Sequence, residues 1–344
     1  ISVKFVIKMI KDKLDRQFEY LRISVTDKCN FRCIYCMPKE IFGSKHQFLK
    51  KNELLTYEEI IEVAKTLKPF GLKKIRLTGG EPLLRKNIEY LVEGLKKDAL
   101  IDKVMITTNG SLLTKEKLIS LKKGGLDSVT ISLDASSQKV GNIMNPVNNN
   151  HVLVSVAIDN VISIFNSVKV NMVVIKKVND KEIIPMVEKF LDKNVELRFI
   201  EYMDVGESNN WSLSNVFTSK ETKDLIKKYF SLKKLPDLID STSEKWAIDN
   251  YALNIAFISS ISKPFCSECN RGRLSANGNF YTCLFSDKPY DFSSYFRSKK
   301  NNLSFNDYFV KVWSNRNDQY SQLRFISKHD KSKRNKVEMS YIGG

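Results

Sequence analysis

The sequence predicts an α/β fold: an incomplete barrel of six βα units with a smaller C-terminal domain. Three observations support this. Short β-rich runs alternate with segments of helical period through about the first two hundred residues, the pattern of βαβ crossovers and a parallel sheet. Six units fall short of the eight that close a barrel, so one side is expected to stay open. After about residue 215 the alternation fades, and a length of 344 residues itself points to about two domains, taken as 1–215 and 216–344.

The expected strands are Leu21–Val25, Lys74–Thr78, Lys103–Thr107, Ser128–Leu133, Val168–Ile175 and Glu196–Tyr202. Helices are expected at Thr56–Leu67, Leu83–Lys97, Thr114–Lys122, Leu153–Phe165 and Lys181–Leu191. Thr56 with Glu59, and Thr114 before Lys115-Glu116, mark starts where side chains meet unpaired backbone N–H groups. Further on, Lys220–Phe230 reads as lysine-rich helix and Ala252–Ser259 as a strand. Arg271–Leu274 and Phe280–Leu284 read as a hairpin closed by Asn277-Gly278, a pair suited to tight turns. Ser136–Asn150 and Lys328–Lys336 read as mobile loops, and no internal repeat is evident.

Composition bounds the function classes. Apolar residues at 42% and charged residues at 28% are those of an ordinary globular protein. No apolar run nears the roughly twenty residues of a membrane span, and ISVKFVIKMI lacks a signal peptide's hydrophobic region and cleavage site. The chain opens on Ile1 rather than Met, so its N-terminus is read as trimmed or incomplete. With 56 basic and 39 acidic residues the net charge is +17, which favours an anionic partner. Tracts such as Asn148-Asn149-Asn150 and Lys299-Lys300 attribute most of the lysine excess to compositional drift, leaving arginine as the better guide.

All six cysteines fall into two triads: Cys29, Cys33 and Cys36 as C-x3-C-x2-C, and Cys266, Cys269 and Cys283 as C-x2-C-x13-C. A chain of this length buries enough core without disulfide staples, which would also demand an oxidising compartment. Buried cysteines acting as small hydrophobes do not sort into triplets. Structural zinc takes four ligands, and the first triad has neither a fourth cysteine nor a histidine at ligand spacing. A [4Fe–4S] cube normally takes four thiolates too, so three leave one iron open to a non-protein ligand, as in catalytic metal sites. The first triad is therefore read as iron–sulfur. The second, by itself, suits zinc completed by a distant side chain as well as it suits iron.

The remaining motifs lie at strand ends, where βα folds carry their chemistry. Cys29 follows the first strand, Gly79-Gly80-Glu81-Pro82 the second, Thr108-Asn109-Gly110 the third and Asp134 the fourth. The string CNFRCIYCMP, with Tyr35 before the last cysteine, resembles the radical S-adenosylmethionine superfamily. There the open iron chelates S-adenosylmethionine, which one electron cleaves to a 5′-deoxyadenosyl radical. Paired glycines in RLTGGEP permit close backbone approach, and in the superfamily this segment receives the amino group of S-adenosylmethionine.

Within that superfamily, LRISVTDKCNFRCIYCMP, TTNG, ISLDA, RFIEYMDVGE, FCSECNR and the terminal MSYIGG resemble the GTP 3′,8-cyclase family, from about Asp15 to Gly344. The resemblance implies an incomplete (βα)6 barrel whose C-terminal domain carries a second [4Fe–4S] cluster, with GTP bound to that cluster's open iron through its purine. It implies S-adenosylmethionine contacts at Tyr35, Gly80, Ser132 and Met203. It implies GTP contacts at Arg22, Arg76, Thr107, Lys169, Arg271, Gly272 and Arg273. The charge pattern agrees, since a triphosphate needs charge-assisted donors and residues i and i+2 of a strand share a face.

The implied reaction opens molybdenum cofactor biosynthesis. The radical takes the ribose 3′ hydrogen of GTP, C3′ adds to C8, and reduction and protonation give 3′,8-cyclo-7,8-dihydro-GTP. No catalytic side chain is assigned, because the cofactor supplies the chemistry. The resemblance also implies that the Gly343-Gly344 tail reaches the active site. Expected partners are a one-electron donor, cyclic pyranopterin monophosphate synthase as recipient of the product, and a second copy of the chain as a homodimer. Neither nucleic acid nor membrane is expected, and the compartment is cytoplasm if bacterial or mitochondrial matrix if eukaryotic.

Two departures stand out: Gly272 replaces the family's Leu, which is expected to loosen that strand, and SSQKVGNIMNPVNNN replaces an Arg- and Gly-containing stretch. A peptide-modifying radical enzyme, the nearest rival, uses more cysteines than this second triad offers. A metal-stabilised nucleic-acid-binding protein needs a basic stripe with interleaved aromatics or a reader motif, and leaves RLTGGEP unexplained.

Overall fold

The computed structural model describes residues 9–147, 151–236, 242–297, 303–324 and 336–344. Strands β1 (Tyr20–Ser24), β2 (Lys74–Thr78), β3 (Lys103–Thr108), β4 (Ser128–Ser132), β5 (Val168–Val174) and β6 (Glu196–Glu201) lie side by side, all parallel, in chain order. These are the six strands expected from the sequence, shifted at their ends by a residue or two.

After β6 come β7 (Leu232–Lys234), β8 (Glu244–Ile248), β9 (Asn254–Ile258), β10 (Arg271–Leu274), β11 (Asn279–Tyr281) and β12 (Tyr290–Asp291). They extend the existing sheet at both edges. β9 pairs parallel with β6, and β10 pairs parallel with β1. β8 and β7 continue antiparallel beyond β9, as β11 and β12 do beyond β10. The sheet does not close on itself among the described residues, so the barrel is open as expected. The C-terminal part of the chain thus flanks the six-stranded half on both sides.

Helices cover one face: α1 (Tyr57–Leu67), α2 (Ile88–Lys97), α3 (Lys115–Lys123), α4 (Gln138–Met144), α5 (His151–Ile164) and α6 (Ile183–Phe190). Thr56 and Glu59 form the capping box expected for α1. α2 begins five residues later than expected, because Asn87 adopts a left-handed backbone at φ 57° and interrupts the run. Residues 136–147 are not the loop expected. Ser137 caps α4, while the Glu182 carboxylate receives both the backbone N–H and the hydroxyl of Ser136 and of Ser137. Residues 148–150 and 328–335 lie outside the described residues.

Parallel sheets covered on both faces usually read as continuous apolar runs. These strands alternate instead. Leu21, Ile23, Ile75, Leu77, Val104 and Ile106 are buried toward the helices. Arg22, Arg76, Thr107, Thr130, Lys169 and Arg198 occupy the other phase and face inward. The barrel interior is therefore a polar lumen built for a charged occupant, unlike the packed core of a closed βα barrel.

An aromatic cluster closes the outer face of β1 and β10. Helix α7 (Ser219–Ile226) and α8 (Ser293–Arg297) precede α9 (Phe305–Ser314), which lays Phe309 and Trp313 on Phe18, with ring centroids at 5.0 and 4.9 Å. Phe280 of β11 joins them, 5.8 Å from Phe309. Each such pair contributes about 0.5–1.5 kcal/mol beyond its buried area. Gly272 faces this cluster: a Cβ there would meet the Phe280 ring at 2.5 Å. The strand is not loosened at Gly272, because Phe280 fills the space a side chain would take.

Candidate active site

A cavity of about 290 Å³ lies at the C-terminal ends of the parallel strands, and all six cysteines line it. A wider hollow of about 710 Å³ opens beside it, sharing Pro264 and Ser321 with its wall and touching none of the cysteines. Two triads separated by more than two hundred residues thus meet across one space.

The loop after β1 carries the first triad and is bonded to the loop after β2. Gly80 N–H donates to the Thr26 carbonyl at 2.7 Å and Glu81 N–H to the Lys28 carbonyl at 2.8 Å. That contact explains the paired glycines: a Cβ on Gly80 would lie 2.2 Å from the Lys28 oxygen, and Gly79 holds φ at +141°. Glu81 is buried and receives the Thr108 hydroxyl and the Asn109 N–H, each at 2.7 Å, tying the β2 loop to the β3 loop. Burial pushes its carboxyl up to about 7, against those hydrogen bonds. From within the cysteine loop, Arg32 donates to the Cys29 and Phe31 carbonyls at 2.7 Å and to Phe42 at 2.6 Å.

The Cys29 sulfur receives the Phe31 N–H at 3.3 Å and the Asn109 amide at 3.9 Å. Burial, with Glu81 nearby, pushes the Cys29 thiol up to about 11, and burial raises Cys33 and Cys36 as well. Three buried thiols beside carboxylates hold thiolates only with added positive charge, which a bound metal cluster supplies. The donor set fits that group. Tyr35 is buried between the last two cysteines, and its hydroxyl donates to Asp134 at 2.9 Å. Burial raises Asp134 to about 6.

The second triad has mixed surroundings. Burial alone would raise Cys269, but the guanidiniums of Arg271 and Arg316 overcome it and hold this thiol below its ordinary value. Cys283 is pushed up to about 12 by burial and by Asp318. Among the described residues no three Cys, His, Asp or Glu side chains are placed to hold a single metal ion. A cube makes no such demand, because each thiolate binds a different iron.

Inward-facing arginines fill the space beneath. Arg22, Arg271 and Arg273 line the cavity, with Arg22 opposite Arg273 in the β1–β10 register and Tyr20 opposite Arg271. Arg22 Nε is buried and has no hydrogen-bond partner among the described residues, so its donor is free for a ligand. Arg76 is not in the cavity wall. Its guanidinium donates to the Tyr20 hydroxyl at 2.6 Å, Thr130 at 2.8 Å and Thr107 at 3.1 Å. Burial would raise the Tyr20 phenol, but Arg76, Arg22 and Arg271 together bring it down to about 7. Lys169 also stands outside the wall, near the N-terminal end of β5. Burial, with Arg198 adjacent, lowers its ammonium to about 8. Gly272 turns its side-chain direction away, toward Phe280. Thr107, Tyr35, Gly80, Ser132 and Met203 all line the cavity.

Comparison with known proteins separates the possibilities for such a site. Residues 23–190 match the Radical SAM superfamily and residues 195–322 match Molybdenum Cofactor Synthesis C. A GTP 3′,8-cyclase of Staphylococcus epidermidis is 43% identical over 342 residues, covering 98% of this chain and 99% of its own. The chain belongs to the GTP 3′,8-cyclase family. A second GTP 3′,8-cyclase, from Staphylococcus haemolyticus, is 42% identical over 98% of this chain and its own full length. Among solved structures, Streptococcus suis SuiB bound to S-adenosylmethionine has a TM-score of 0.60 at 16% identity, covering 93% of this chain and 70% of SuiB. SuiB bound to the precursor peptide SuiA has a TM-score of 0.62. Those two likenesses establish a shared fold.

In this GTP 3′,8-cyclase family member the chain end also enters the lumen. Helices α10 (Tyr320–Leu323) and α11 (Met339–Ile342) lead to Gly343, whose carbonyl receives Arg273, and to Gly344, whose carbonyl receives the Thr78 hydroxyl at 3.4 Å. Gly343 has φ +76°, and a Cβ there would meet Thr78 at 2.5 Å. Glu338 anchors the approach, taking the N–H groups of Glu207 and Ser208 at 3.0 and 3.1 Å. Asn109 of the expected strand-end motif lines the cavity, and so do Asn171 and Arg198, which were not singled out from sequence. Their signal was present, since Asn171 and Arg198 are the polar members of the alternations in β5 and β6.

Proposed function

We propose that GTP binds in the 290 Å³ cavity between two [4Fe–4S] clusters, one held by Cys29, Cys33 and Cys36 and the other by Cys266, Cys269 and Cys283. The carrying observation is that one cavity receives all six thiols while arginines supply its inner wall. The chain is a radical S-adenosylmethionine lyase acting at the first step of molybdenum cofactor biosynthesis. Cys29, Cys33 and Cys36 would hold the cluster that carries S-adenosylmethionine, and the bound cofactor would supply a 5′-deoxyadenosyl radical for the ribose 3′ hydrogen of GTP, with C3′–C8 closure completed by one electron and one proton.

The chain's own part is to bind, orient and exclude water. Arg22, Arg271 and Arg273 take the triphosphate, with Thr107 beside them. Arg76 acts from behind by holding Tyr20 and Thr107, and Lys169 contributes charge from the barrel floor. Tyr35, Gly80, Ser132 and Met203 border S-adenosylmethionine. Residues 1–215 then serve the cofactor and 216–344 the second cluster. A one-electron donor starts each turnover, the product passes to cyclic pyranopterin monophosphate synthase, and the chain works as a homodimer.

The test is turnover of anaerobically reconstituted protein with GTP deuterated at C3′. Deuterium in 5′-deoxyadenosine, with 3′,8-cyclo-7,8-dihydro-GTP as product, is expected. Deoxyadenosine that forms independently of GTP and carries no deuterium contradicts the reading.

A further inference from the structure

Behind the second triad, outside the cavity, sits a buried ion group. The Asp12 side chain is 0% exposed and receives Arg16 Nε at 2.6 Å and an Arg316 nitrogen at 3.0 Å. Asp318 lies 3.3 Å from Arg316 Nε and brings the group to charge balance. Taking such charges out of water costs several kcal/mol per ion, so the remaining donors need partners as well. Most find them on or near the cysteine loops, while Arg16 Nη2 is buried without a hydrogen-bond partner among the described residues. Arg16 donates to the Cys266 carbonyl at 2.7 Å and to the Asp318 carbonyl at 2.8 Å. Arg316 donates to the Cys269 carbonyl at 2.7 Å and to the carbonyl of Thr282, the residue before Cys283, at 3.0 Å.

Backbone carbonyls at or beside all three cysteines thus accept from two guanidiniums that share one carboxylate. These loops need such a hold, since the triad's only regular structure is a single turn over Cys266–Glu268. Arginine suits the task where lysine does not, because its planar fork serves a carboxylate and separate carbonyls at once. The group is itself fixed. Arg316 lies over the Trp313 ring at 4.7 Å, and Trp313 Nε1 donates to the Arg16 carbonyl at 3.1 Å.

We propose that Asp12, Arg16 and Arg316 are positioning residues that pre-set the thiols of Cys266, Cys269 and Cys283 for one [4Fe–4S] cluster. This rests on reading that triad as a cluster site. Outer-shell partners of this kind typically change metal retention 10- to 100-fold when lost.

The test reconstitutes wild type, Asp12→Asn, Arg316→Lys and the milder Arg16→Lys without oxygen. Iron and sulfide are counted, reduced spectra are recorded by electron paramagnetic resonance, and the apoproteins are melted. Wild type is expected to hold about eight irons and each variant about four, with the first cluster's signal and its spectral response to added S-adenosylmethionine kept. Variants that keep about eight irons overturn the proposal while leaving the second cluster in place. Parallel loss of both clusters with a lowered apoprotein melting temperature also overturns it, because the group then serves the fold alone. A wild type with about four irons overturns the second-cluster reading and the positioning role with it.

Discussion

At Gly272, Phe280 occupies the volume that a side chain between Arg271 and Arg273 would need, with its ring 2.5 Å from a built Cβ. Gly272→Leu is therefore expected to destabilise by about 1–3 kcal/mol through overpacking. Phe280→Ala alone costs about 3–5 kcal/mol. In urea unfolding the double variant should cost less than the sum, since each change relieves the other, and strict additivity would show that the two positions do not compete. Glu81 gives a pH prediction. Its carboxyl rises from an ordinary 4.5 to about 7, so between those values the folded chain holds a proton that the unfolded chain has released. Stability of the apoprotein must then fall as pH rises from about 4.5 to 7. Asp134, raised to about 6, adds to the same slope. Glu81→Gln with Asp134→Asn should flatten the denaturation midpoint across that window; an undiminished slope would assign it to other groups.

The strands were legible from sequence because short β-rich runs alternate with segments of helical period, whereas the polar lumen emerged only when the register showed which phase faces inward. Which inward residues reach the cavity was not legible. Arg76 and Lys169 share the inward phase with Arg22, and Arg76 is paired level with it, yet neither lines the cavity: the Arg76 guanidinium is turned onto Tyr20, Thr107 and Thr130. α4 was read as loop because its anchor, Glu182, lies forty-five residues from Ser137. Asp12, Arg16 and Arg316 were invisible for the same reason, since Arg16 meets Cys266 across 250 residues and Asp12 meets Arg316 across 304. The glycine pair after β2 was legible as a close approach, and the structure identifies the neighbour as the cysteine loop. Gly80→Ala cannot be relieved by a rotamer, since its clash is with backbone oxygen. It should cost the first cluster, lowering iron from about eight to about four; full iron retention would refute the pairing of the two loops. At the other end of the chain, deleting Gly344 should lower turnover with iron content unchanged, whereas unchanged turnover would show that the tail is a passive neighbour.

Across the whole molecule, the returning chain adds β9 to one edge of the six-stranded sheet and β10 to the other. This arrangement brings the second triad to the mouth of the lumen that the first triad already borders. No helix among the described residues is long and apolar enough to cross a membrane. The positive charge that meets the cavity comes from the arginines on its wall, whereas Arg16 and Arg316 behind the second triad are balanced by Asp12 and Asp318. The central claim is that GTP sits between two clusters in one cavity. Its most direct measurement uses a variant with Cys29, Cys33 and Cys36 changed to Ser, which retains only the second triad. Electron paramagnetic resonance is recorded on its reduced form with unlabelled and nitrogen-15 GTP. About four irons and a nitrogen coupling that changes with the isotope are predicted. A protein without iron, or a spectrum indifferent to GTP, would contradict it.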